Sequence, residues 1–171
     1  MKEEINHSIS EANEVSIIFL GQIMGKATDF VRHFDYQTNI LVGIGTAVTA
    51  FSITNLNSAN GIFYILGSFS LISVLVGLFA IHPPMFMRKR QQKESLFYNK
   101  KICKFDSPDQ YAVEIKKILE NKDDMINEYC IEIRNLYKYY YQPKRKLFKI
   151  SRNLLFAGIS ISSLFFLVQL F

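Results

Sequence analysis

The chain is poor in the residues from which active sites are built. Two cysteines and three histidines occur in 171 residues, and none falls at the paired spacing of a zinc site. There is no nucleophile elbow, no glycine-rich phosphate loop and no HExxH helix. These absences weigh against an enzyme and leave no metal or cofactor to expect. Cys103 and Cys130 read as unpaired, partly buried thiols in a reducing compartment. Asp29, His33 and Asp35 recur at helical spacing and can face one another, which reads as surface pairing rather than a catalytic set.

A second absence says more. Residues 38–81 contain no charged side chain, and neither do residues 154–171. The turn formers Asn55, Asn57, Ser58, Asn60 and Gly61 split the first stretch into two apolar runs. Each run is about 20 residues, which at about 1.5 Å per residue matches a hydrocarbon core of about 30 Å. The expected fold class is an all-α membrane protein, with three transmembrane helices and a small cytoplasmic helical bundle. Uncharged spans disfavour a pump or transporter, whose ion and proton sites need intramembrane charges.

The net charge is +5, and its distribution matters more than its size. Residues 82–153 hold 17 Lys and Arg against 9 Asp and Glu. Basic residues collect on the cytoplasmic side of membrane helices. This predicts a multi-pass membrane protein with residues 82–153 and the N-terminus inside and the C-terminus at the far side. The expected partner of the charge is the lipid bilayer, not DNA or RNA. Residues 1–14 are acidic and polar, unlike a cleaved signal. The predicted organisation is an amphipathic cytoplasmic helix at 1–37, a transmembrane hairpin at 38–81, a cytoplasmic helical region at 82–153 and a third span at 154–171.

Ile5, Ile9, Ala12, Val15, Ile18 and Phe19, then Ile23, Ala27, Phe30, Val31 and Phe34, form one helical stripe. Its polar face begins with Glu3, Glu4, Glu11 and Glu14, which disfavours anionic lipid and favours packing on protein. Pro83 and Pro84 stop the second span, and a basic edge follows at 85–93. Residues 95–106 read as a loop or strand-like connection. Ser107 and Pro108 mark an N-cap and first helical position. Tyr111, Ile115, Ile118 and Leu119 make one apolar stripe. After a polar break at 121–124, Ile126, Tyr129, Ile133, Leu136, Tyr137 and Tyr140 make the next. Pro143 is expected to kink the chain before the last span.

Small residues recur four apart in the spans: Gly43/Ala47, Gly45/Thr49, Ser73/Gly77 and Gly158/Ser162. Such pairs let helix backbones approach closely in lipid. They serve packing within the chain or self-association equally well. Residues 136–146 interleave tyrosines with Lys and Arg. The pattern can stack a base and hold a phosphate, but an interfacial anchor belt fits its place before a span better. Arg32, Arg134 and Lys138 are candidate phosphate contacts.

The order of these features resembles a known family. Asp35-Tyr36-Gln37-Thr38-Asn39 leads into a small-residue span, and a second span ends at proline and basic residues. Leu96-Phe97-Tyr98 with Ile102 follows, then 107–111 and a Tyr/Lys-rich helix entering the last span. From Ala27 onward this resembles the membrane effectors of the bacterial Pycsar antiphage systems. In that family the entry to the first span commonly reads Asp-x-Lys-Ala; here Asp35 is kept, and Gln37 and Thr38 replace the other two. Asn99 stands where a glycine often follows the aromatic pair. SLATT-type membrane effectors share the broader plan of two spans plus cytoplasmic helices. The resemblance implies an oligomeric, nucleotide-binding effector, triggered by a cyclic pyrimidine mononucleotide (cUMP or cCMP) from a partner cyclase. It would impair inner-membrane integrity and cause abortive infection. With the resemblance, Asp35 joins the candidate ligand contacts. The competing reading is a non-enzymatic membrane scaffold that recruits a partner through 82–153.

Overall fold

The computed structural model describes the backbone of residues 2–56, 61–82 and 93–170, and the side chains of 15–56, 61–82 and 93–169. Every element among the described residues is helical. The first, α1, runs unbroken over Lys2–Thr54. Its early apolar stripe is only partly covered. Ala27 is buried and Ile23, Val31 and Phe34 are half-buried, whereas Val15, Ile18 and Phe19 are exposed. An amphipathic stripe is buried only where a second element lies along it, so the expected packing on protein holds for the later part of the stripe alone. Ile5, Ile9, Ala12 and the early glutamates lie outside the described side chains.

Gly61 opens α2 (Ile62–Ile81) at φ +84°, a left-handed conformation that glycine adopts without steric cost. His82 closes α2, donating its backbone N–H to Leu78 O at 3.3 Å. The rest of the turn (57–60), the prolines Pro83 and Pro84, and the basic edge up to residue 92 lie outside the described residues.

The segment expected as a loop or strand contains one helical turn, α3 (Asn99–Ile102). The next helix, α4 (Pro108–Glu120), starts as the sequence predicts: Ser107 Oγ accepts from Gln110 N at 3.3 Å, with Pro108 at the first helical position. Tyr111, Ile115 and Ile118 are half-buried, but Leu119 is exposed. Asn121 ends α4 and caps α5 (Lys122–Asn135), accepting from Asp123 N at 3.2 Å. Helix α5 passes through a π-helical turn, Leu136–Tyr141, into α6 (Gln142–Leu170). Pro143 therefore does not interrupt the helix. A proline removes one ladder N–H and its ring collides with the carbonyl four residues earlier. The wider π-helical turn directly before it changes the bonding register there and lets the helix run on.

Two described helical stretches are long and apolar enough to cross a membrane: Ile62–Ile81 and the continuous run Lys122–Gln169. The uncharged end of α1, expected to be a third crossing, is not one of them. Its Gly, Thr, Ser and Asn residues dilute its hydrophobicity. The chain divides into two compact units, one of Met1–Phe30 with Arg90–Tyr140 and one of Val31–Lys89 with Tyr141–Phe171. Cys103 and Cys130 are free as expected but exposed rather than partly buried. Cys103 lies in the turn that follows α3, and Cys130 lies on α5.

Candidate functional site

In the unit built from Val31–Lys89 and Tyr141–Phe171, the interior is mostly small and hydroxyl side chains, with Ile62, Leu147 and Leu155 buried beside them. Ser52 and Ser70 are fully buried, and Thr38, Ser73 and Ser151 are 1% exposed. The large apolar residues point outward instead: Leu71, Leu75, Leu78 and Phe79 on α2, and Phe156, Leu164, Phe165 and Phe166 on α6. This inversion is what lipid requires. Acyl chains are as apolar as leucine, so apolar burial drives nothing, and helices associate through close packing and hydrogen bonds.

Helices α1 and α2 meet as an antiparallel pair in strict register. Ser52 lies against Gly67, Thr49 against Ser70, Gly45 against Val74 and Val42 against Gly77. Thr49 Oγ1 lies 2.8 Å from both Gly45 O and Ser70 Oγ, so its one proton serves either. Ser70 Oγ in turn donates to Gly67 O at 3.0 Å. Between α2 and α6 the contact is reciprocal: Ser73 Oγ donates to Ser151 O at 2.7 Å, and Ser151 Oγ donates to Ser73 O at 2.7 Å. Gly77 is where the three helices converge. A Cβ there would sit 2.6 Å from Val42 Cγ2 and 3.2 Å from Ser151 Oγ. At Gly158 it would sit 2.5 Å from Phe69 Cβ.

At one end, α1 is clasped to α6. Lys144 Nζ lies 2.5 Å from Asp35 Oδ1, with the lysine largely buried and the aspartate about one-third exposed. The Phe34 ring meets Tyr141 and Phe148 edge-on, with centroids 5.5 and 5.0 Å apart. Arg145 sits over Tyr141 at 5.9 Å.

The other unit contains a different polar cluster. Glu128, Glu132 and Asn135 lie along one buried face of α5. Glu132 accepts from Ser95 Oγ, Glu128 accepts from Leu96 N at 2.6 Å, and Asn135 Nδ2 donates to Lys93 O at 3.0 Å. Together they hold residues 93–96, an irregular segment whose backbone groups have no helical partner. Tyr98 and Tyr140 join through their hydroxyls at 3.0 Å, and Phe97 packs on Tyr129 at 5.0 Å.

The candidate ligand contacts fall in different places. Arg134 and Lys138 are exposed on the helix of this second unit, and Lys138 lies 5.6 Å over the Tyr139 ring. Arg32 is exposed on α1 in the membrane-type unit, where Asp35 is committed to Lys144. The Asp29–His33–Asp35 set does not assemble: Asp35 turns to α6, and His33 Nε2 lies 3.1 Å from Gln37 Nε2. Among the tyrosines of 136–141, Tyr139 is buried, and Tyr140 and Tyr141 are engaged by other rings or hydroxyls. Of the small pairs, Gly45 and Thr49 face α2, Ser73 and Gly77 face α6, and Gly158 faces α2. Gly43 and Ala47 are exposed, and Ser162 is buried with no hydrogen-bond partner among the described residues. Sequence reasoning missed Glu128, Glu132 and Asn135, because charged residues at helical spacing ordinarily mark a solvated face. No group of three metal-ligating side chains occurs among the described residues.

Residues 19–171 match the family model of the Pycsar effector protein domain (PycTM). No curated protein and no solved structure matches the chain.

Proposed function

Because the chain belongs to the Pycsar effector protein family, and so is a membrane protein of antiphage defence, we propose that it is a nucleotide-gated membrane effector. A cyclic pyrimidine mononucleotide, cUMP or cCMP, made by a partner cyclase binds it. Its membrane helices then rearrange, impair the inner membrane and end the infection with the cell. On this reading the uncharged end of α1, packed along α2, crosses the bilayer with α2 and α6. The N-terminus and the charged segment between α2 and α6 are cytoplasmic. The bonds of Ser151 to Ser73 put the start of the last span a few residues before the expected 154. The excess of Lys and Arg in 82–153 supports that orientation.

The observation that carries the proposal is the interior of small and hydroxyl side chains shared by α1, α2 and α6. Interhelical hydrogen bonds in membranes average only about 0.6 kcal/mol. A packing built from them has alternatives of similar energy, and a ligand that binds two arrangements unequally shifts their populations. Arg32, Arg134 and Lys138 are exposed cations suited to a cyclic phosphate. Asp35, held by Lys144, would instead couple ligand binding to the α1–α6 clasp.

The test is dye release from liposomes carrying the purified chain, with cUMP, cCMP, cAMP and cGMP added separately. Release with one pyrimidine nucleotide and not with the purines is the expected result. Loss of that release on replacing Arg32, Arg134 or Lys138 by alanine would identify the contacts. No release with any of the four, from vesicles shown to contain inserted protein, would favour a scaffold that recruits a partner through 82–153.

A further inference from the structure

The register of α6 against α2 sets cations at the depth of an apolar span. The two helices run antiparallel, since Ser151 meets Ser73 and Gly77 while Gly158 meets Phe69. Ser151 therefore lies between the levels of Ser73 and Gly77, four to eight residues before α2 ends at Ile81. At about 1.5 Å per residue this is about 6–12 Å inside that end. Arg152 follows at nearly the same depth, and Lys149 lies about one turn nearer the end. Both are exposed, and with Arg145 they recur at helical spacing along one face of α6.

At the same depth α2 exposes Leu75, Leu78 and Phe79. Large exposed apolar side chains call for acyl chains around them. The sequence also marks Ile81 as the edge of the hydrocarbon: Pro83 and Pro84 follow it, then Arg88, Lys89 and Arg90. One level of the unit thus presents an apolar face on α2 and a cationic face on α6. Carboxylates do not resolve the conflict. The only acidic residue in Val31–Lys89 and Tyr141–Phe171 is Asp35, which Lys144 holds. Among the described residues Arg152 bonds only its neighbour, the Asn153 side chain, at 3.3–3.4 Å.

Helical side chains lean towards the N-terminus of their helix, which for α6 is the side of Ile81. Lys149 and Arg152 therefore snorkel towards the nearer membrane surface, burying their stems. An arginine stem covers only part of the distance, and local thinning of the bilayer covers the rest. A phosphate diester supplies the anion that the chain does not, and an arginine binds it through two parallel N–H donors.

We propose that Lys149 and Arg152 form a site for lipid phosphate: headgroups of the adjoining leaflet are drawn inward along this face of α6, while the bilayer keeps its full depth against α2. The proposal rests on α2 crossing the bilayer and not on gating by a nucleotide, so it is tested without one.

The chain has no tryptophan, so one can be introduced as a depth probe. The full chain is reconstituted in vesicles of phosphatidylcholine and phosphatidylglycerol that carry a nitroxide quencher on the headgroup or midway along the acyl chain. Asn153→Trp reports beside Arg152, and Leu75→Trp reports on α2 at a similar depth. Headgroup label should quench Asn153→Trp several-fold more than chain label does, and Leu75→Trp should show the reverse. Adding Lys149→Leu and Arg152→Leu together should give position 153 the pattern of position 75. Stronger quenching by chain label at 153 with both cations in place would overturn the proposal. So would a headgroup pattern that survived their removal. A headgroup pattern at both positions would mean that the uncharged run of α6 sets the hydrocarbon core instead, and would equally overturn it. Quenching of Asn153→Trp by neither label, as beside a water-filled defect, would do the same.

Discussion

The two units of the chain bury opposite kinds of side chain for opposite reasons. In the unit of Val31–Lys89 and Tyr141–Phe171, serine, threonine and glycine make up most of the interior, and most of the leucines and phenylalanines of α2 and α6 face outward. Its buried hydroxyls bond carbonyls and one another across helices, as Ser73 and Ser151 do. In the unit of Met1–Phe30 and Arg90–Tyr140, the buried polar groups of α5 are two carboxylates and an amide, and what they hold is a stretch of irregular chain. The first arrangement makes helices interchangeable neighbours, joined by weak, similar contacts. The second fixes one segment to one helix face through acceptors that nothing nearby replaces. On the proposed function, a bilayer element that rearranges calls for the first, and a sensing element that keeps its shape calls for the second.

The sharpest way to break the first arrangement is to fill a glycine. Gly158→Leu drives a side chain into Phe69, whose Cβ would be 2.5 Å from the new Cβ. We expect about 3 kcal/mol of lost stability, the upper end of ordinary overpacking, seen as a lowered unfolding midpoint in detergent. Gly43→Ala, on the open face, should leave the midpoint unchanged or slightly raised. Equal losses at the two positions would mean that close helix approach is not what holds this unit.

Next in size is the carboxylate cluster. Glu128→Ala strips the Leu96 amide of its buried acceptor, a loss of about 1–3 kcal/mol. The effect should be local: hydrogen exchange at Leu96 should accelerate far more than at Ser73 or Ser151. Uniform acceleration through both units would erase the distinction between them.

How much of this was legible in the sequence depends on whether the cause is local. The Ser107 cap, the Asn121 break and the uncharged helices follow from neighbouring residues alone, and so does the order of elements behind the family resemblance. Facing is another matter. Gly43/Ala47 and Gly45/Thr49 are the same motif two residues apart, yet two residues turn a helix by about 200°. One pair therefore meets α2 and the other meets nothing, and only the position of α2 tells them apart. The same holds for Glu128 and Glu132: their burial depends on residues 93–96, more than thirty positions earlier, coming to lie on α5. Asp35 looked like a neighbour of His33 and Asp29 because they are near in sequence, but its partner is Lys144. At Pro143 the local rule shows in the backbone without breaking the helix: a π-helical turn stands directly before the proline.

The smallest effects divide the membrane-type unit within itself. Ser73 and Ser162 are both buried serines on helices that meet, but Ser73 exchanges two hydrogen bonds with Ser151 and Ser162 has none among the described residues. Ser73→Ala should cost about 0.6–1.7 kcal/mol, the measured range for interhelical hydrogen bonds in a membrane protein. Part of that cost is the Ser151 hydroxyl and carbonyl left without their partner. Ser162→Ala should cost nothing, because it removes a polar group that has no partner among the described residues. A double-mutant cycle of Ser73→Ala with Ser151→Ala should give a coupling close to the whole single-mutant loss, whereas Ser73→Ala with Ser162→Ala should be additive. If Ser162→Ala proved as costly as Ser73→Ala in detergent, the hydroxyl would have a partner after all. The contrast between a bonded and an unbonded serine would then fail at its narrowest point.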